Sequence, residues 1–246
     1  MNSYKKKLLT GASVLAVSSV GVLSIGVDEA VAGTTTSTLA GATITVAPTS
    51  TTNNHLFHAT NATIATIAIN PTQASVTATV NLKAANVSKV TGAVTTDDVA
   101  SAVANLKVTG TGSVTFSSTI GTASNLIDTV NLDQVGTVTF GGNVFATSVT
   151  LDATTTVIDI NDGVNITANI TPVADEDGSI LVNGDSKVTG NIGTSTNAVI
   201  GNLTLQGANG ETFETTGDVF LKDLNWSSSS DAKIVIASGK TLESEQ

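Results

Sequence analysis

The chain has 246 residues, enough for one large domain, and its 40% apolar content separates it from disordered polymers. It contains no arginine. Residues 33–246 carry 7 Lys against 18 Asp plus Glu, a net charge of −11 that should be repelled by nucleic acid and anionic lipid and excludes a nucleic-acid partner. Aromatic residues are only 3% and cysteine is absent, so an aliphatic core must hold the fold without disulfides.

Residues 1–32 have the pattern of a cleaved signal peptide. Lys5, Lys6 and Lys7 form a basic start, and Leu8 to Val27 is an apolar run loosened by Gly and Ser. Ala30-Val31-Ala32 before Gly33 is an A-x-A peptidase site. The competing reading, a membrane anchor, needs about 20 apolar residues, which this run just supplies. The small residues and the A-x-A favour cleavage, so no membrane span is expected in the mature chain.

Residues 33–75 are rich in Thr, Ala and Asn and are expected to form an N-terminal cap. Ala42 to Val46 and Ile64 to Ile69 read as strands, ended by Pro48 and Pro71. Val76 to Leu82 alternates apolar and polar residues and is a further strand. Thr95-Thr96-Asp97-Asp98 then has the form of a helix start, with Thr96 as cap and the aspartates at the positive end. Val99, Ala102, Val103 and Leu106 fall at i, i+3, i+4 and i+7, which predicts one short helix of two to three turns beside the β-core.

Beyond it the chain repeats. Gly112-Ser-Val-Thr-Phe116 is echoed 24 residues later by Gly136-Thr-Val-Thr-Phe140, and Val157-Ile158-Asp159-Ile160 comes after another 20. In Gly178 to Gly207 the beats Ile180/Val182 and Leu203/Leu205 lie 23 residues apart, punctuated by Asn183-Gly184, Gly190, Gly193 and Gly201. A spacing of this size is one coil of a stacked β-solenoid. Val144-Phe145 with Val149/Leu151 also resembles Val219-Phe220 with Leu224/Trp226, and Lys233 to Ala237 is the last strand. The expected fold is all-β: a right-handed parallel β-solenoid over 76–246 with one short helix.

Residues 178–198, GSILVNGDSKVTGNIGTSTNA, resemble an element repeated in rickettsial surface antigens, the outer membrane protein A and B autotransporters. Asp97-Asp98 to Phe116, ending G-S-V-T-F, is similar to a coil seen there; the likeness extends over much of 97–242. The resemblance implies an exported β-solenoid passenger, displayed at the cell surface for adhesion to host cells or as a coat. Those proteins are several times longer and end in a membrane β-barrel. This sequence closes on Leu242-Glu-Ser-Glu-Gln246 without a terminal aromatic residue, so the likeness is to the start of a passenger, at the surface, secreted or periplasmic. Its expected partners are a host-cell surface protein or copies of itself.

Candidate chemistry is sparse. His55-x-x-His58 is the one histidine pair; zinc would need a third ligand from elsewhere, and two polar residues in a loop near the cap is the better reading. Asp175-Glu176-Asp177-Gly178 resembles the opening of a calcium loop, but position 186 is Ser where the pattern needs Glu, so a solvated turn is the better reading. Asp97-Asp98 has the form of a glycosidase carboxylate pair, yet helix capping accounts for it. Gly110-Thr-Gly112 is not a phosphate loop, since position 115 is Thr. The N-x-S/T triplets at Asn61, Asn86, Asn165, Asn169, Asn202 and Asn225 arise by chance in such a composition. Trp226 occupies an apolar beat and is expected in core or end-cap packing. No catalytic, cofactor-binding or metal-binding residue is assigned. The expected function is a non-catalytic surface-antigen or adhesin-like passenger. The alternatives are a self-assembling coat and, less favoured, a polysaccharide-active solenoid enzyme, which would show a groove of clustered carboxylates.

Overall fold

The computed structural model describes residues 22–25, 34–36, 42–46, 53–58, 62–71, 73–84, 87–97, 101–134, 136–195, 198–207, 210–227 and 231–245. Every strand pairing among them is parallel, and the strands order into a 12-stranded and a 10-stranded sheet, with Val94–Thr96 of the former off its main path. Each strand pairs with strands one coil before and one coil after, about 20–26 residues away in the Phe116 to Val182 run. This is a β-solenoid, and the repeat spacing is its physical cause. Chain segments of near-equal length bring like residues into register, so each coil completes the hydrogen bonds of its neighbour.

Three inward columns run along the stack. The first is Ile64, Val90, Phe116, Phe140, Ile160, Val182 and Leu205, all buried. The second is Ile67, Val94, Ile120, Val144, Ile166 and Val188, continued by Thr215. The third is Val80, Leu106, Val130, Val149, Ile170, Ile192 and Val219. Each such side chain contributes roughly 1.5–3 kcal/mol when buried. Ordering one residue costs about 1–2 kcal/mol in backbone entropy, so one coil of some twenty residues cannot stand alone. Coils are stable because neighbours cover both of their faces. Phe116 and Phe140 stack within the first column, ring centroids 6.1 Å apart. Their coils approach so closely at the preceding turn that a Cβ on Gly136 would meet the Gly112 carbonyl oxygen at 1.8 Å.

The repeats read from sequence are these pairings. Val114 and Phe116 pair with Val138 and Phe140, and Ile180 and Val182 with Leu203 and Leu205. Asn183-Gly184 turns the chain from Ser179–Val182 to Ser186–Thr189, strands of different sheets, at a corner rather than in a hairpin. The likeness of Val144–Leu151 to Val219–Trp226 does not carry over to position. Val144 belongs to the second column and Val219 to the third, so the two strands are offset by one face. The strands Ala42–Val46 and Ala62–Ile69 pair with each other in the same stack. Val22–Ile25, inside the apolar run of the signal-like segment, pairs with Ala42–Val46.

The predicted helix is not there. Val94–Thr96 and Val103–Gly110 are both strands, and no helix occurs among the described residues. Residues 98–100, with Asp98 and Val99, lie outside the description. The helical spacing competed with a period of two in Ala104, Leu106 and Val108, all buried and alternating with outward neighbours. Strands Thr77–Lys83 and Ile127–Gln134 pair with Val103–Gly110 on either side, and that supply of partners decided between the two periods. Thr96 caps nothing; it is buried, and its hydroxyl donates to the Asp97 carbonyl.

Candidate functional site

The second and third columns meet at one corner of the coil, and the corner is built in two ways. In the strands Val144–Leu151 and Asn165–Pro172 the chain passes from one column to the other inside one strand, with a register shift between Phe145 and Ser148. In the earlier coils a loop intervenes: one comes after Ile69, one after Thr96 and one after Ile120. These loops sit at the same corner of consecutive coils because the columns on both sides are in register.

A cleft of about 480 Å³ opens where they meet. Pro71 comes from the first loop, Asp97 and Ser101 from the second, and Asn125 and Leu126 from the third, with Asp128 at the start of the next strand. Hydrogen bonds fix this wall. The Asp128 carboxylate accepts the Ala104 N–H at 2.7 Å, and the Asn125 side-chain amide donates to the Thr96 carbonyl at 3.1 Å. The Thr122 hydroxyl accepts the Asn125 N–H at 3.0 Å. Ser75 and Ser101 both have φ 66°, a left-handed backbone unusual outside glycine, and the Ser75 N–H donates to the Ser101 carbonyl. Leu126 is 40% exposed beside buried Ile127.

Asp97 is therefore a cleft residue and not a helix cap. Ser101, Asn125, Leu126 and Asp128 were not singled out from sequence. Their signal was present as the polar run Thr122-Ala-Ser-Asn125 after Gly121, which interrupts the apolar beat between Ile120 and Ile127.

Elsewhere the carboxylates and amides hold coils together. Asn169 accepts the Asn191 N–H, Asn191 accepts the Asp218 N–H, and Asp218 accepts the Thr241 N–H, one bond per coil at 2.9–3.0 Å. Asp162, Asp185 and Thr212 form a second such ladder. The bond from Thr241 is the main reason that the Asp218 carboxyl titrates below its ordinary value; partial burial opposes it, and Lys240 adds to it.

The calcium-like loop has the same structural character. Asp175 accepts the Val199 N–H, buried Asp177 accepts the Ala174 N–H, and Glu176 pairs with Lys222 two coils on. That hydrogen bond raises the Lys222 ammonium above its usual range. Among the described residues no three His, Cys, Asp or Glu side chains gather to hold a metal ion. His55 and His58 lie in the strand Asn53–His58 and not in a loop, their backbones paired with Val80 and Thr36. Gly110 and Gly112 form a left-handed turn between strands. Of the triplet asparagines, Asn61 and Asn86 lie outside the described residues; Asn225 donates to Asn202, another coil-to-coil bond. Trp226 is 47% exposed, so it is not core. It pairs in register with Leu205 and donates its indole N–H to the Ala232 carbonyl.

Comparison with protein-family models, with curated proteins and with solved structures gave no match.

Proposed function

We propose that this chain is an exported, non-catalytic β-solenoid passenger that presents a polar face to a partner at the cell surface. The observation that carries this reading is a pair of outward rows. Thr79, Asn105, Thr129, Ser148 and Asn169 lie in register on five consecutive coils, and Asn81, Lys107, Asn131, Thr150 and Thr171 run beside them. At about 4.8 Å per coil the strip is roughly 19 Å long. The side-chain oxygens of Asn105, Asn131 and Thr150 are buried, and Asn81 and Asn169 accept bonds within the stack, so the strip presents a self-paired polar face that repeats at strand spacing, an extended surface rather than a pocket for chemistry. The aspartates that bond backbone amides along the turns are occupied in the same structural sense. Cleavage after Ala32 would remove Val22–Ile25 and leave Thr34–Thr36, paired with Asn53–His58, as the first paired strand.

The test is fractionation of the producing cell. The chain is expected at the surface or in the medium, beginning at Gly33 and open to added protease. Retention in the cytoplasm with residues 1–32 intact would overturn the reading. A self-assembling coat is favoured by one observation: Trp226, Val235 and Leu242 are large apolar side chains exposed on the last two described coils. Regular arrays on isolated envelopes would decide for it.

A further inference from the structure

We infer that the corner cleft binds a neutral saccharide, a role that does not depend on where the chain is displayed. Its lining is rich in acceptors. Asp97 and Asp128 bring carboxylates and Asn125 an amide oxygen, and among the described residues no lysine lines the cleft. Such a surface repels phosphate, sulfate and carboxylate ligands and calls for a ligand that donates hydrogen bonds without carrying negative charge. Sugar hydroxyls do so.

The acceptors are held in place before any ligand arrives. One Asp128 oxygen is anchored on the Ala104 N–H, which leaves the other to accept. The Asn125 NH2 is anchored on the Thr96 carbonyl, which fixes the amide and leaves its oxygen to accept. Fixed acceptors lose little entropy on binding. Leu126, exposed at the cleft beside buried Pro71, adds an apolar patch, the surface that the C–H face of a pyranose ring covers. The volume, about 480 Å³, lies within the range of small-ligand sites. An ammonium or guanidinium group is the competing ligand. Asp97 is exposed, however, and an ion pair there is screened by water and worth little. Several hydroxyl bonds spread over three coils, with an apolar contact, suit the cleft better.

The exported chain is screened on an array of neutral hexose and N-acetylhexosamine oligosaccharides beside sulfated and sialylated ones. The best neutral binder is then titrated against variants. Leu126→Lys places a cationic chain over the patch at an exposed position and is expected to weaken binding at least tenfold. Val173→Lys makes the same change at an exposed site on another coil and is expected to leave the affinity within twofold. Should Leu126→Lys melt early, Asp128→Asn keeps an oxygen for Ala104 while removing the charge, and a loss of about threefold is expected. Three results would overturn the inference: no neutral oligosaccharide bound, equal binding by the cleft variants and wild type, or displacement by a lysine-rich peptide that binds more tightly than any sugar.

Discussion

The coils before Gln134 and those after Gly136 share the same inward columns but treat one corner differently. From the second column to the third the chain takes 13 residues between Ile67 and Val80, 12 between Val94 and Leu106, and 10 between Ile120 and Val130. It then takes only 5 between Val144 and Val149, and 4 between Ile166 and Ile170. Burial on both sides of the corner is the same in the two regions. The columns therefore set stability, and the corner length is free to vary. Where it is long, loops from successive coils converge into a cleft; where it is short, the surface is a plain strand ladder. In a stacked fold a site can be added at a corner without changing the registers that hold the stack.

If the columns carry stability, the largest effect comes from charging one. Val182 lies in the first column and is 2% exposed, while Thr204 on the next coil is half-buried and faces outward. Val182→Lys should cost about 4 kcal/mol or more, because an unpaired ammonium enters the core. Thr204→Lys should cost less than about 1 kcal/mol. Thermal melting of the two variants checks this, and equal midpoints would mean that the register is wrong.

A smaller effect separates corner from strand. Gly-Ser-Gly inserted after Thr147 falls in the register shift where other coils carry loops, and should cost about 1 kcal/mol or less. The same insertion after Val149 is an odd number of residues inside a strand. It turns Leu151 away from the core and forfeits roughly 2–3 kcal/mol of burial, with its ladder bonds in addition. Denaturant midpoints of the pair measure the difference. Comparable losses would show that the tight corner is itself part of the stack.

This contrast also explains what the sequence discloses. The columns were legible because near-identical beats such as G-S-V-T-F and G-T-V-T-F recur at coil spacing, and pairing in register needs nothing else. The segment Val94 to Gly110 misled because two periods overlap there. Leu106 fits a helical face through Val99 and Val103, and a strand face through Ala104 and Val108. Only the strands on both sides, distant in sequence, choose between them. The cleft was illegible for a related reason. Pro71, Asp97 and Asn125 lie on three loops that no local pattern joins, and they converge only because the columns align the coils. Carboxylate doublets drew attention as chemistry, while the single residues Asp128 and Asp218, which bond amides one coil away, looked unremarkable.

The smallest effect concerns the turn ladders, which bind coils locally without carrying the core. Asp218 accepts the Thr241 N–H at 3.0 Å, and this bond, aided by Lys240, holds its carboxyl below the ordinary 3.8. A carboxyl with a lowered folded-state pKa stabilises the fold fully above its unfolded value, and that contribution is lost as pH falls through the folded value. The loss should be confined to the last described coil, because the carboxyl is solvent-facing and the core columns do not titrate. The measurement is hydrogen exchange of the Thr241 amide from pH 6 down to pH 2, with Asp218→Asn compared at each pH to cancel the intrinsic pH dependence of exchange. Wild-type protection at Thr241 should fall below about pH 3.8, relative to the variant, while the amides of Val138 and Phe140 stay protected. A step of equal size at Phe140 would show that the ladders, and not the columns alone, hold the stack together. No step at Thr241 would mean that its amide is held by something other than the Asp218 carboxylate.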